Sequence, residues 1–93
     1  MSRPGPNSRP QLARGCRLSE QEGQDSTLLM PEGAMRLNPP GIKILRQCDG
    51  QHTFAEIVKA LEGDFSGPAP GRIAEDTAAF LERLQERRVV DYE

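Results

Sequence analysis

A cysteine and a histidine lie four residues apart near the middle of this 93-residue chain, a spacing that could support nucleophilic chemistry. Cys48 and His52 together suggest a thiolate activated by an imidazole. Cys48, however, continues the helical spacing of the apolar residues Ile42 and Leu45, which is typical of a buried structural thiol. We therefore expect no catalytic residue, and a chain that is not an enzyme.

Other reactive groups are few or badly spaced. Two cysteines and one histidine are too few for the usual four-ligand zinc site. The adjacent carboxylates Glu75 and Asp76 would point to different faces of a helix. The glycines at 63, 67 and 71 match no nucleotide-binding motif. We expect neither a metal nor a cofactor.

The distribution of charge limits the classes of partner. Residues 1–17 hold four arginines and no acid, whereas the remainder holds 8 basic and 14 acidic residues, for a net charge of −2. The region expected to fold is therefore acidic, and it lacks the basic surface that nucleic acid binding requires. With no signal peptide, no apolar run of membrane-spanning length and few cysteines, we expect a cytoplasmic protein that binds neither nucleic acid nor membranes.

The length predicts one domain, preceded by a tail. The first twelve residues contain three prolines and no apolar periodicity, so we expect residues 1–13 to be a disordered tail or a linker to another protein. Residues 14–93 then form the domain. Without this tail, we expect the fold to be nearly unchanged.

Three short strands are predicted at the start of the domain. Apolar residues alternate with polar ones, or cluster, in Arg14–Leu18, Thr27–Met30 and Ala34–Leu37. The polar segment Ser19–Ser26 is predicted to be a hairpin loop, and Pro31–Gly33 a tight turn. These strands are expected to pair in antiparallel fashion.

Three helices should follow. Asn38 is a good N-cap for the first, which is predicted to reach Cys48, and Thr53 with Glu56 forms a capping box for the second. The third is predicted over Arg72–Arg88. The fold class is α+β: a small winged helix-turn-helix-like domain with three N-terminal antiparallel strands followed by three helices.

This architecture suggests more than one function. Winged-helix domains often bind DNA, but the third helix has four arginines against four acidic residues, so DNA binding is retained only as the alternative. An open sheet edge beside a helix can instead accept an extended peptide as an added strand. A structural or interaction subunit without peptide specificity is a third interpretation.

An ordered set of short motifs runs through the region expected to fold: Arg14–Leu18, Leu28–Gly33, Leu37–Pro39, Ile44-Leu45, Cys48–Gly50, Thr53–Val58, and Asp76 with Phe80-Leu81 and Leu84. Over about residues 14–92, this set resembles the PqqD family of pyrroloquinoline quinone (PQQ) biosynthesis. The resemblance implies a non-catalytic peptide chaperone, also called a RiPP recognition element. Such a protein binds the ribosomally made precursor peptide PqqA and presents it to the radical SAM enzyme PqqE.

The resemblance also implies where a peptide would bind. In related recognition elements the leader peptide lies as an extra strand on the third strand, against the third helix. On this chain the corresponding residues are Ala34, Met35, Arg36, Leu37, Ile73, Asp76, Thr77, Phe80 and Arg83. Phe80 and Leu37 are expected to form the apolar floor. We expect the chain to be a monomer or a weak homodimer.

Overall fold

The computed structural model describes residues 3–20, 26–64 and 71–92. Within them are five strands and three helices: β1 Gln11–Leu12, β2 Arg17–Ser19, β3 Thr27–Met30, β4 Gly33–Arg36, α1 Pro39–Arg46, α2 Phe54–Asp64, α3 Arg72–Glu86 and β5 Val90–Asp91. None of the helices in these ranges is long and apolar enough to cross a membrane.

The main sheet is an antiparallel meander with the order β2-β3-β4. Three strands followed by three helices were predicted, and this α+β, winged-helix-like arrangement is confirmed. The boundaries of β2 differ, because the strand begins at Arg17 and not at Arg14. Residues 21–25, which are most of the predicted hairpin loop, and residues 65–70, between α2 and α3, lie outside the described residues.

Local capping interactions define the starts of two helices. The Asn38 side chain accepts a hydrogen bond from the Gly41 N–H at 2.9 Å, and α1 starts directly after it. At α2, the Thr53 N–H donates to the Glu56 carboxylate at 2.7 Å, while the Glu56 N–H donates to the Thr53 hydroxyl at 3.2 Å. Both predicted caps are confirmed, because each depends only on residues within one helical turn.

One core joins the sheet to the helices. Its buried side chains come from β3, all three helices, the turn after α1 and the segment after α3: Leu28, Ile44, Leu45, Cys48, Ile57, Leu61, Leu81, Leu84, Val89 and Val90. Ion pairs add links at the surface, where Arg46 of α1 contacts Glu20 and Lys43 of α1 contacts Asp64 of α2. The core therefore holds β4 and α3, the two elements of the candidate site, on one scaffold.

The structure differs from the sequence prediction at the N-terminus. Residues 3–13, which we term the N-terminal strap, are packed on the domain and not disordered. Pro4, Ser8 and Pro10 are buried, and β1 at the end of the strap pairs with β5. The domain as folded therefore includes residues that were expected to form a tail.

Backbone hydrogen bonds explain how a segment without apolar periodicity packs so closely. The N–H groups of Phe54 and Ala55, at the start of α2, donate to the carbonyls of Ser8 at 2.7 Å and Pro6 at 3.1 Å. The first N–H groups of a helix have no partner within it. The carbonyls of the strap therefore supply the acceptors that the N-terminal end of α2 lacks. At its start, Arg3 also forms an ion pair with Glu75 of α3 at 2.6 Å.

Candidate functional site

The edge of the main sheet is formed by β4. Among the described strands, β4 pairs only with β3. The Leu37 N–H donates to the Ser26 carbonyl at 3.1 Å, and this pair continues the register in which Met35 lies opposite Leu28. Hydrogen-bonded and non-hydrogen-bonded pairs alternate along an antiparallel ladder. The backbone groups of Met35 and Leu37 therefore point toward β3, and those of Ala34 point toward the opposite side.

Side chains alternate along β4 as the pleat requires. Met35 lies opposite the fully buried Leu28 and shares its face, and both Met35 and Leu37 pack partly buried against the core. Ala34 and Arg36 are exposed on the other face. The resemblance assigned four positions to the site in this region, three in β4 and Leu37 directly after it. Met35 and Leu37 thus offer side chains toward the helices, while Ala34 and Arg36 offer mainly backbone.

The third helix supplies the other apolar residues. Ile73 and Phe80 are partly buried against the core. The Phe80 ring and the Leu37 side chain converge on the same place, the first turn of α1 at Gly41. The two residues expected to form an apolar floor are therefore brought together, although they lie 43 positions apart in the chain.

Of the other α3 residues assigned to the site, Asp76 and Arg83 are charged and exposed, and Thr77 is buried. Asp76 forms an exposed ion pair with Arg72, with 3.3 Å between Nε and Oδ2, and Arg83 is exposed one turn beyond Phe80. Thr77 is only 2% exposed, which corrects its assignment as a lining residue. It lies among the buried residues of α3 and offers almost no surface to a peptide.

The cysteine and histidine that first suggested chemistry are not partners. The Cys48 thiol donates to the Ile44 carbonyl at 3.3 Å, and burial raises its pKa to about 12. The His52 ring nitrogen Nδ1 instead lies 3.0 Å from the Asp49 carboxylate. A thiol that remains protonated at neutral pH is a poor nucleophile, so Cys48 acts as a core residue.

Asp49 organises the turn between α1 and α2. Its carboxylate accepts the N–H groups of Gln51 at 2.8 Å and His52 at 3.2 Å. The hydrogen bond from Gln51, followed by those from His52, holds the pKa of Asp49 below its usual value. Gly50 has a φ of +77°, and a side chain there would meet Gln11 of the strap. The Cys48–Gly50 motif is therefore structural. In the described ranges no three metal-binding side chains cluster closely enough to hold an ion.

Two features of the site were missed by sequence reasoning. Gly41 was not singled out, although it lies three and four residues before the buried Ile44 and Leu45, a spacing that places it on the buried face of α1. The strap was interpreted as a tail, and the signal that could have identified it was the unpartnered start of α2, which needs acceptors from elsewhere in the chain.

Comparison with known proteins places these features in a family. The model of the family Coenzyme PQQ synthesis protein D (PqqD) matches residues 26–90. A "PqqA binding protein" of Azotobacter vinelandii is 41% identical over 86 residues, which cover 91% of each chain. Another of the same name, from Pseudomonas aeruginosa strain UCBPP-PA14, is 45% identical over 83 residues, which cover 88% of each chain.

Solved structures agree with this placement. The solution structure of the PqqD truncation of Methylobacterium extorquens PqqCD, described as a functional stand-alone RiPP recognition element, is 30% identical. The TM-score is 0.72, and the match covers 88% of this chain and 87% of that one. The heterocyclase TruD, 22% identical with a TM-score of 0.64 over 92% of this chain and 12% of its own, shares the fold. The matching family model, the curated relatives and this structural likeness show that the chain belongs to the PqqD family.

Proposed function

We propose that this chain is a non-catalytic peptide chaperone of PQQ biosynthesis, which binds a PqqA precursor peptide on the outer edge of β4 and presents it to the radical SAM enzyme PqqE in the cytoplasm. The observation that carries the proposal is the edge strand β4 beside an apolar floor made by Leu37 and Phe80. The names of the curated relatives, PqqA binding proteins, support the choice of peptide.

In this proposal the peptide extends the sheet by one strand. The outward-facing N–H and carbonyl of Ala34 pair with the peptide backbone, which gives affinity without regard to sequence. Because the pleat repeats every two residues, alternate peptide side chains fall on the face shared by Met35 and Leu37. Peptides with apolar residues two positions apart should therefore bind best, since both side chains reach the face where Phe80 lies.

The expected affinity follows from the size of this contact. Burying one large aliphatic side chain contributes about 1.5–3 kcal/mol, so two anchors and a short ladder are enough for roughly micromolar binding after the costs of association. The exposed Arg36 and Arg83 favour an acidic peptide. Exposed charges are screened by salt, so we expect salt to weaken the binding and not to abolish it.

A titration followed by backbone amide shifts tests the proposal against the alternative of DNA binding. The labelled chain is titrated with the PqqA peptide of Pseudomonas aeruginosa, with a scrambled peptide of equal composition and with duplex DNA. We expect saturable shifts in β4 and along α3 with PqqA only. Shifts confined to other elements, or equal shifts with the scrambled peptide, would contradict the proposed site, and saturable shifts with DNA would favour the winged-helix alternative.

A reconstituted reaction with PqqE distinguishes a chain that only presents the peptide from one that takes part in the chemistry. We expect the double variant Cys48→Ala and His52→Ala to bind PqqA and to support product formation by PqqE as the wild type does. Arg83→Glu, at an exposed position of α3, is expected to weaken capture of an acidic peptide by reversing a charge beside the site, while the fold survives. A double variant that binds normally but supports no product would mean that this chain takes part in the chemistry.

A further inference from the structure

Gly41 lies in the first turn of α1, where the backbone conformation does not require glycine. Its φ is not among the positive values of the chain, and it is buried within a regular helix. Alanine is a better helix former than glycine. Helix geometry alone would therefore favour a side chain at this position.

The close neighbours of Gly41 give a different reason why glycine occupies this position. A Cβ at this position would lie 3.4 Å from Cζ of Phe80 and 3.7 Å from Cδ2 of Leu37, and 3.0 Å from the capping oxygen of Asn38. The side chains from α3 and from the end of β4 thus rest against the bare backbone of α1. A methyl group would fill the remaining space, and a branched side chain would displace one or both neighbours.

We infer that Gly41 is a positioning residue: because it has no side chain, the Phe80 ring and the Leu37 side chain of the apolar floor lie close to the backbone of α1. This inference rests on the function proposed above. A side chain larger than a methyl group pushes the Phe80 ring outward, toward the space that the added peptide strand needs, whereas an alanine methyl group would lie at ordinary contact distance from Phe80 and Leu37. The loss of peptide affinity should therefore grow with the size of the side chain, from alanine to valine.

The chain offers a matched control in Gly63. It also lies in a helix, near the end of α2, and it also has no positive φ. Among the described residues, no atom lies within 4 Å of the position that its Cβ would take. Substitutions at Gly63 therefore change helix propensity in the same way as those at Gly41, but they leave Phe80 and Leu37 in place.

The test compares Gly41→Ala and Gly41→Val with Gly63→Ala and Gly63→Val by calorimetry, with the PqqA peptide of Pseudomonas aeruginosa as the probe. We expect less than about a threefold change for Gly41→Ala, at least about a tenfold loss for Gly41→Val, and less than about a twofold change for both Gly63 variants. Because valine can also unfold α1, Gly41→Met, whose unbranched side chain suits a helix, takes its place if Gly41→Val is not folded. Asn38→Gly, which removes the capping oxygen and leaves Gly41 in place, should bind as the wild type and so excludes an effect through the cap.

A second measurement needs no peptide. In the free protein, the ring resonances of Phe80 and the methyl resonances of Leu37 should move in Gly41→Val, or in Gly41→Met in its place, and stay in place in Gly63→Val. If they do not move, the inference is overturned. If wild type binds PqqA and the Gly41 variants bind like the Gly63 variants, the inference again fails while the proposed function stands. If wild type does not bind PqqA, the proposed function fails, and the resonances alone decide the role of Gly41.

Discussion

Replacing Ala34 by proline should remove one backbone hydrogen bond from a bound peptide without breaking the sheet that holds β4. The alternation along the β3–β4 ladder directs the Ala34 N–H away from β3, whereas the Met35 N–H points toward it. Proline has no N–H to donate, so Ala34→Pro leaves a peptide carbonyl without its partner. Met35→Pro, by contrast, would break the native ladder.

The magnitude follows from that one lost donor. Leaving a carbonyl without a partner in a closed interface costs about 1–3 kcal/mol, which corresponds to a loss of about 5- to 150-fold in affinity. Ala34→Val is the matched control, since it keeps the N–H and valine suits a strand. It should bind PqqA within about threefold of the wild type, because a change in the side chain alone leaves the ladder intact.

Calorimetry with PqqA measures both affinities, and an amide spectrum of each variant shows that β3 and β4 remain paired. This check is necessary because a proline at 34 also restricts the residue before it, Gly33. Gly33 pairs with Met30 at the turn between β3 and β4. Equal affinities of two folded variants would refute addition of the peptide to the β4 backbone. In that case the peptide would be held through side chains alone.

Three further predictions concern stability. Deleting residues 1–9 removes the acceptors of the Phe54 and Ala55 N–H groups. At about 0.5–1.5 kcal/mol for each hydrogen bond, the deletion should lower the free energy of unfolding by about 1–3 kcal/mol. An unchanged melting temperature would mean that the strap does not pack as described. Thr53→Ala should cost about 1 kcal/mol in urea unfolding and Thr53→Ser much less, and equal losses would contradict the capping box. Burial raises the pKa of Cys48 from 9.0 to about 12, so the contribution of this thiol to stability is complete below about pH 9 and is lost as the pH rises toward 12. In denaturant unfolding, wild type should therefore lose more stability over that range than Cys48→Ala. Parallel losses in the two proteins would contradict a buried neutral thiol.

Much of the secondary structure could be predicted because its determinants are local. Asn38 caps a backbone N–H three residues ahead, and Thr53 and Glu56 cap each other across one turn. These interactions need no knowledge of the rest of the fold. The apolar spacing of Cys48 likewise indicated a core thiol and not a nucleophile, which agrees with its burial.

The candidate site was predictable only in part. The residues of β4 and α3 followed from the resemblance to a family, but their roles depend on the rotation of each element. Helical spacing alone did not distinguish Thr77, which faces the core, from Phe80, which is partly exposed. The direction of the Ala34 N–H depends on the pairing of Leu37 with Ser26, a contact between two strands.

The N-terminal strap shows the same limit most clearly. Its prolines and polar residues have no periodicity that a local pattern could detect, and its partners Phe54 and Val90 lie more than 40 residues away in the chain. The sequence alone settled where most helices and strands begin, since capping and hydrophobic periodicity act within a few residues. Packing decided which backbone groups the strap satisfies, which face of α3 is buried and where Leu37 meets Phe80, because these contacts form only when distant segments share one core.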